Sequence, residues 1–283
     1  MEASFLWPRS CSPLSRLLPA CMQLPTVPWT RGILCILFLG AGPTGSLSAQ
    51  PAAPDSFRSA LDRVDTLRSQ GRFRPALDRV NRLHRRSPED VEVLWRRALV
   101  ISDLGRHSDD EDSTVTLHRR ALRVADAARA ADSTNAWAHL VTALAAGRLT
   151  LHVGPSARVR HSRAVKRHAD RALALDSTLA PAYHLRGRWH RQVADLGFFV
   201  RALVRTFYGG LPDASLEQAV RDFERATRLA STSYNHLELG KTYLAMERDS
   251  AARSQFERAL TRAGSPFEAE HKREARALLE ELD

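Results

Sequence analysis

The sequence is short of the residues with which proteins cross-link, ligate metals or attack substrates. Its three cysteines, Cys11, Cys21 and Cys35, fall within the first 35 of 283 residues. The rest of the chain therefore has no disulfide, thiolate nucleophile or Cys-ligated zinc to call on. Lysine is almost missing: Lys166, Lys241 and Lys272 are the only ones among 42 cations, the others being arginine. That skew fits GC-rich codon usage better than selection for phosphate contacts. The 32 acidic residues are interspersed with the cations despite a net charge of +10. A nucleic-acid binder concentrates positive charge in a stripe, so no nucleic-acid partner is expected. Period-two alternation of strand length does not occur after Asp55, which excludes a sheet. The patterns HExxH and GxSxG are absent, and no two of the 11 histidines stand at i and i+4. Metal, cofactor and catalytic residues are accordingly all expected to be none, with a hydrolase kept as a low alternative.

What the chain does have begins with an address. Residues 32–42 (GILCILFLGAG) follow Arg31 and run into the small residues Gly45-Ser46-Leu47-Ser48-Ala49. This apolar run is well short of the ~20 residues a spanning helix needs. It has the proportions of a secretory leader, with translation starting at either Met1 or Met22. The expected organisation is a signal peptide over 1–49, a linker over 50–55 and a helical repeat domain over 56–283. The location is then periplasmic or secreted, the alternative being a membrane anchor retained through an uncleaved leader.

From Asp55 onward apolar residues recur at helical spacing, and the chain reads as all-α. Helices are expected near 55–70, 73–86, 88–104, 113–131, 134–149, 156–175, 179–195, 198–208, 215–230, 232–246, 249–263 and 266–282. Ser87 before Pro88, Ser215 before Gln218 and Ser265 before Glu268 supply start signals. In the segment 234–263, Leu239-Gly240, Tyr243, Ala252, Phe256 and Ala259 follow the large, small and aromatic order of a tetratricopeptide repeat. Ala219, Phe223 and Ala226 precede Ala252, Phe256 and Ala259 by 33 residues each. Tyr183, Gly187 and His190 have first-helix spacing, and Asp132-Ser133 and Asp176-Ser177 mark turns between units. The fold expected is tetratricopeptide-like antiparallel helix pairs stacked into a right-handed superhelix. Two inserts interrupt it, the acidic segment 106–113 and the apolar segment 196–212.

The run His184-Leu185-Arg186-Gly187-Arg188-Trp189, then Phe207-Tyr208-Gly209-Gly210-Leu211-Pro212-Asp213-Ala214-Ser215, then Tyr234-Asn235-His236-Leu237-Glu238-Leu239-Gly240-Lys241, resembles the repeat region of the regulator of microtubule dynamics proteins and their bacterial relatives. The resemblance covers most of 55–283. It implies a tetratricopeptide-like superhelix that binds other proteins and has no established chemistry. A secretory leader would put the chain where there is no tubulin, so the resemblance carries the fold and not the microtubule.

If first helices line the concave face, Glu92, Trp95, Arg96, His184, Arg188, Arg191, Gln192, Glu238 and Lys241 point inward. Several guanidinium groups there suit a protein or peptide partner bearing carboxylates. On this reading Arg188 and Arg191 can be charge-reversed without disturbing the fold. The helix expected over 198–208, with Phe198, Phe199, Leu203 and Phe207 beside Arg201 and Arg205, is basic and amphipathic. Its plain reading is that it packs back into the superhelix; the alternative is a membrane surface or a docked partner. Gly240-Lys241-Thr242 has the look of a phosphate-loop end, but Asn235 replaces the required glycine and the register is helix interior.

Overall fold

The computed structural model describes residues 56–282, and the leader, the linker and all three cysteines lie outside them. The described chain forms twelve α-helices and no strand: α1 (Phe57–Ser69), α2 (Phe73–Arg86), α3 (Val91–Arg106), α4 (Glu111–Ala131), α5 (Ala136–Leu149), α6 (Pro155–Leu175), α7 (Ala180–Ala194), α8 (Phe198–Tyr208), α9 (Leu216–Leu229), α10 (Ser233–Leu244), α11 (Asp249–Thr261) and α12 (Glu268–Glu280). Every expected helix is present, and that over 198–208 has the expected bounds.

Capping sets many of the starts. Ser56, Asp90, Asp110, Asn135, Ser215 and Thr232 each accept a hydrogen bond from the amide three residues on. Of the three expected start signals only Ser215 caps its helix; Ser265 accepts from the Phe267 amide at 3.2 Å, and α12 begins after Phe267. Ser87 closes α2, and Asp90, whose Oδ1 accepts from the Val93 amide at 3.0 Å, caps α3. The segment 106–113 is less of an insert than its acidity suggests, because Asp110 caps α4 and Glu111 is already helical. The two Asp-Ser-Thr turns are built alike: Asp132 Oδ1 accepts from the Thr134 amide and hydroxyl at 2.8 and 2.7 Å, and Asp176 from those of Thr178 at 2.8 and 2.6 Å.

Helices pair as α1/α2, α3/α4, α5/α6, α7/α9 and α10/α11, with α12 closing the stack. A glycine on the first helix meets a large side chain on the second. A Cβ at Gly187 would lie 3.1 Å from Phe223, and one at Gly240 would lie 2.5 Å from Phe256. Ala219, Phe223, Ala226, Ala252, Phe256 and Ala259 are all fully buried, so the residues that carry the repeat pattern are the residues that form the core. First helices also touch one another in the order α1, α3, α5, α7, α10, α12, forming a continuous inner face.

The helix α8 departs from expectation. It packs back into the stack through Val204 alone, and its large apolar side chains stay exposed. Its carboxyl end is held by Arg163 of α6, whose guanidinium donates to the carbonyls of Tyr208 and Gly210. Gly209 at φ 71° and Gly210 at φ 78° let the chain turn sharply there.

Candidate functional site

The inner face is polar where first helices meet. In its amino-terminal half, Asp103 of α3, 1% exposed, accepts from Arg68 of α1 at 2.6 Å and from Arg148 of α5 at 2.8 Å. Burial alone would raise the Asp103 carboxyl, but the two guanidinium groups outweigh it and hold it below its usual value. One helix end away, Arg96 donates to Asp65 at 2.9 Å and to Glu92 at 2.7 Å, and Asn135 donates to Glu92 at 3.2 Å. Trp95 is buried and stacks on Trp137 with centroids 4.6 Å apart, beneath the Arg96 guanidinium. Glu92, Trp95 and Arg96 therefore form one cluster, in which Trp95 is part of the core rather than a groove residue.

The carboxyl-terminal half brings together His184, Arg188, Arg191, Glu238 and Lys241. Glu238 of α10, 4% exposed in its side chain, receives the Arg191 guanidinium directly, with Arg188 at 3.7 Å and Lys241 at 3.5 Å. Lys241 also donates to Glu274 of α12 at 2.6 Å. Burial pushes the Glu238 carboxyl up, yet Arg191, Lys241 and Arg188 together hold it well below the usual carboxylate range. The expectation that Arg188 and Arg191 can be charge-reversed without disturbing the fold is corrected here: the chain supplies their counter-charge from the buried carboxylate of Glu238. Gln192 is half-buried on the same helix.

Sequence reasoning missed Tyr234 and His271. The Tyr234 ring stacks on His271 at 4.0 Å and lies 4.1 Å from His184, and its hydroxyl accepts from Arg188 at 2.6 Å. Tyr234 stands one turn before Glu238 on α10, a spacing that could have flagged it. His271 lies on α12, which carries no repeat pattern. His184 donates from Nδ1 to Asn235 Oδ1 at 2.6 Å, since the Asn235 amide nitrogen is itself committed to the carbonyls of Ala226 and Ala230. Burial lowers His184 to about 4, so it is neutral near pH 7 and its Nε2 carries a lone pair. That Nε2 and the Nε–H groups of Arg188 and Arg191 are buried with no hydrogen-bond partner in the chain.

The remaining motifs resolve as packing. Gly240-Lys241-Thr242 lies inside α10, with Thr242 Oγ1 donating to the Glu238 carbonyl at 2.7 Å. His139 and His168 approach with their Nδ1 atoms 3.0 Å apart. Among the described residues no group of three or more His, Cys, Asp or Glu is placed to hold a metal ion.

The family model for regulator of microtubule dynamics protein 1-3 matches residues 60–283. The chain belongs to this family. Regulator of microtubule dynamics protein 1 of Mus musculus is 24% identical over 228 residues, covering 77% of this chain and 73% of the mouse protein. The Bos taurus protein of the same name is 29% identical over 160 residues, 55% of this chain and 50% of the bovine protein. The chain thus spans about three quarters of the mouse relative and half of the bovine one. Among solved structures, a thermophilic TPR protein of Thermus thermophilus superposes with a TM-score of 0.58 at 20% identity, over 78% of this chain and 98% of that one. The fold is all-α and tetratricopeptide-like, an architecture that serves as a scaffold for protein interaction.

Proposed function

We propose that this member of the regulator of microtubule dynamics family is an exported, non-catalytic scaffold that grips a segment of another protein on its inner face. The observation that carries the reading is the continuous inner face formed by the first helices, where the side chains of Arg188, Arg191 and Lys241 remain 35%, 18% and 25% exposed beside Glu238. Guanidinium and ammonium groups with donors left over suit carbonyls or a carboxylate. A protein segment offers both. Export rests on the leader and adds that the partner resides outside the cytoplasm.

A photo-crosslinking residue at Gln192, in the full chain expressed in its own cell, tests the proposal, with Arg221 on the outer helix α9 as the comparison site. Cross-links to a polypeptide at 192 and not at 221 are expected. Cross-links confined to 221 would overturn the inner face as the binding surface.

A further inference from the structure

Six large apolar side chains are exposed among the described residues, and four of them are on one eleven-residue helix: Phe198 at 80%, Phe199 at 79%, Leu203 at 51% and Phe207 at 70%. Phe199, Leu203 and Phe207 are spaced by one turn each, and Phe198 meets Phe199 edge-on at 5.8 Å between centroids. Such a concentration of exposed apolar surface on a protein otherwise well packed marks an interaction surface.

Charge says what covers it. Asp195 and Asp213 border the segment, but no Asp or Glu occurs over 196–212, and Arg201 and Arg205, one turn apart and exposed, lie on the side of the helix away from Phe199, Leu203 and Phe207, with Arg201 also donating to the carbonyls of Leu196 and Ala194. The helix α6, which anchors α8 through Arg163, likewise has no acidic residue over 155–169, and Arg160 and Arg167 are exposed on it. Pairing α8 with a second copy of itself would bring Arg201 and Arg205 of both copies together, with no acidic residue on the helix between them. A surface that is apolar within and anionic at its rim satisfies both features at once. No helix among the described residues is long and apolar enough to cross a membrane.

We infer that α8 docks in the plane of an anionic lipid bilayer, with Phe198, Phe199, Leu203 and Phe207 in the acyl boundary and Arg201 and Arg205 at the headgroups. This goes beyond the scaffold reading and does not depend on it: the inner face and α8 share no residue. Long arginine stems suit the geometry, because they cover apolar surface while the guanidinium stays at the polar interface.

The test uses the full chain with Cys11, Cys21 and Cys35 changed to Ser and Phe199→Cys carrying an environment-sensitive fluorophore. The same label at Arg221→Cys, on α9, is the control. Phosphatidylcholine vesicles with phosphatidylglycerol are expected to blue-shift the label at 199 and not that at 221, and neutral phosphatidylcholine vesicles to leave both unchanged. Arg201→Gln with Arg205→Gln removes two headgroup contacts and should lower the partition read at 199 about 30-fold, with an unaltered far-ultraviolet spectrum. Vesicle binding without a shift at 199 would mean that another segment, such as the leader, holds the chain there, and would overturn the inference. So would an equal shift on neutral vesicles, or a shift without vesicles accompanied by a doubled mass in light scattering. A shift produced by polyglutamate and not by anionic vesicles would assign the face to an acidic polypeptide instead.

Discussion

Gly240 of α10 and Phe256 of α11 are mutually required: the phenyl ring occupies the space that any side chain at 240 would need, with 2.5 Å between a Cβ there and the ring. Gly240→Ala is expected to destabilise by about 1–3 kcal/mol through overpacking, although alanine is the better helix former. Gly147→Ala, inside α5, where a Cβ meets only Val165 Cγ2 at 3.4 Å, is the comparison and should not destabilise. Urea midpoints of the two variants decide it. Ala252→Leu, at a fully buried position on α11, should behave like Gly240→Ala.

Glu238→Ala should cost about 3–5 kcal/mol, because it leaves Arg191 and Arg188 without their shared carboxylate. Arg191→Ala combined with Glu238→Ala should cost less than the two separate losses summed. An additive double-mutant cycle would show that the pair is not coupled. For the same reason, reversing Arg188 and Arg191 to Glu is expected to lower the melting midpoint. A binding defect in that variant would not by itself report on a partner.

Stability should fall as pH drops from about 7 toward 4. Burial lowers His118, His168, His184 and His190 to about 4 and His271 to about 3, against 6.5 for a free imidazole. Across that window the unfolded chain binds more protons than the folded one, so each histidine withdraws up to about 1.4 kcal/mol per pH unit of acidification. Asp103 and Glu238, both held below their ordinary values, add a further loss at still lower pH. Denaturant midpoints at pH 7.5 and 5.5 measure the histidine share, and equal midpoints would mean that these rings take up protons in the fold as readily as in the unfolded chain.

The proposed leader predicts a mature chain that begins between Ala49 and Pro51. Intact-mass measurement on protein from its native cell reads this directly. A chain that retains 32–42 would favour the anchored alternative.

The helices were legible because helical periodicity is local, and Gly240 with Phe256 because a recurring small and large pair registers at a fixed spacing. The inward direction of Arg188, Arg191, Glu238 and Lys241 followed from the same register. Their mutual pairing did not, since Arg191 meets Glu238 across 47 positions of sequence and the meeting depends on how tightly successive repeats curl. Asp103 within VISDL and Arg148 within AAGRL were visible as charges inside apolar helical stretches, a signal that two buried ions had to find partners. The exposure of α8 ran against hydrophobicity itself. Four large apolar residues on one short helix ordinarily announce a core.

The last helix of the stack does not stop at its neighbour. Phe267, at the start of α12, lies 5.4 Å from the Phe73 ring of α2 and 3.9 Å beneath the Arg106 guanidinium of α3, and Arg106 donates to Glu270 at 2.7 Å. Open repeat arrays touch only along their length, so their ends can fray while the middle holds. Here the terminal helix cannot peel away without also leaving the first two hairpins. Unfolding is therefore expected to be cooperative across the whole array, with slow hydrogen exchange reaching the carboxyl-terminal helix as well as the centre.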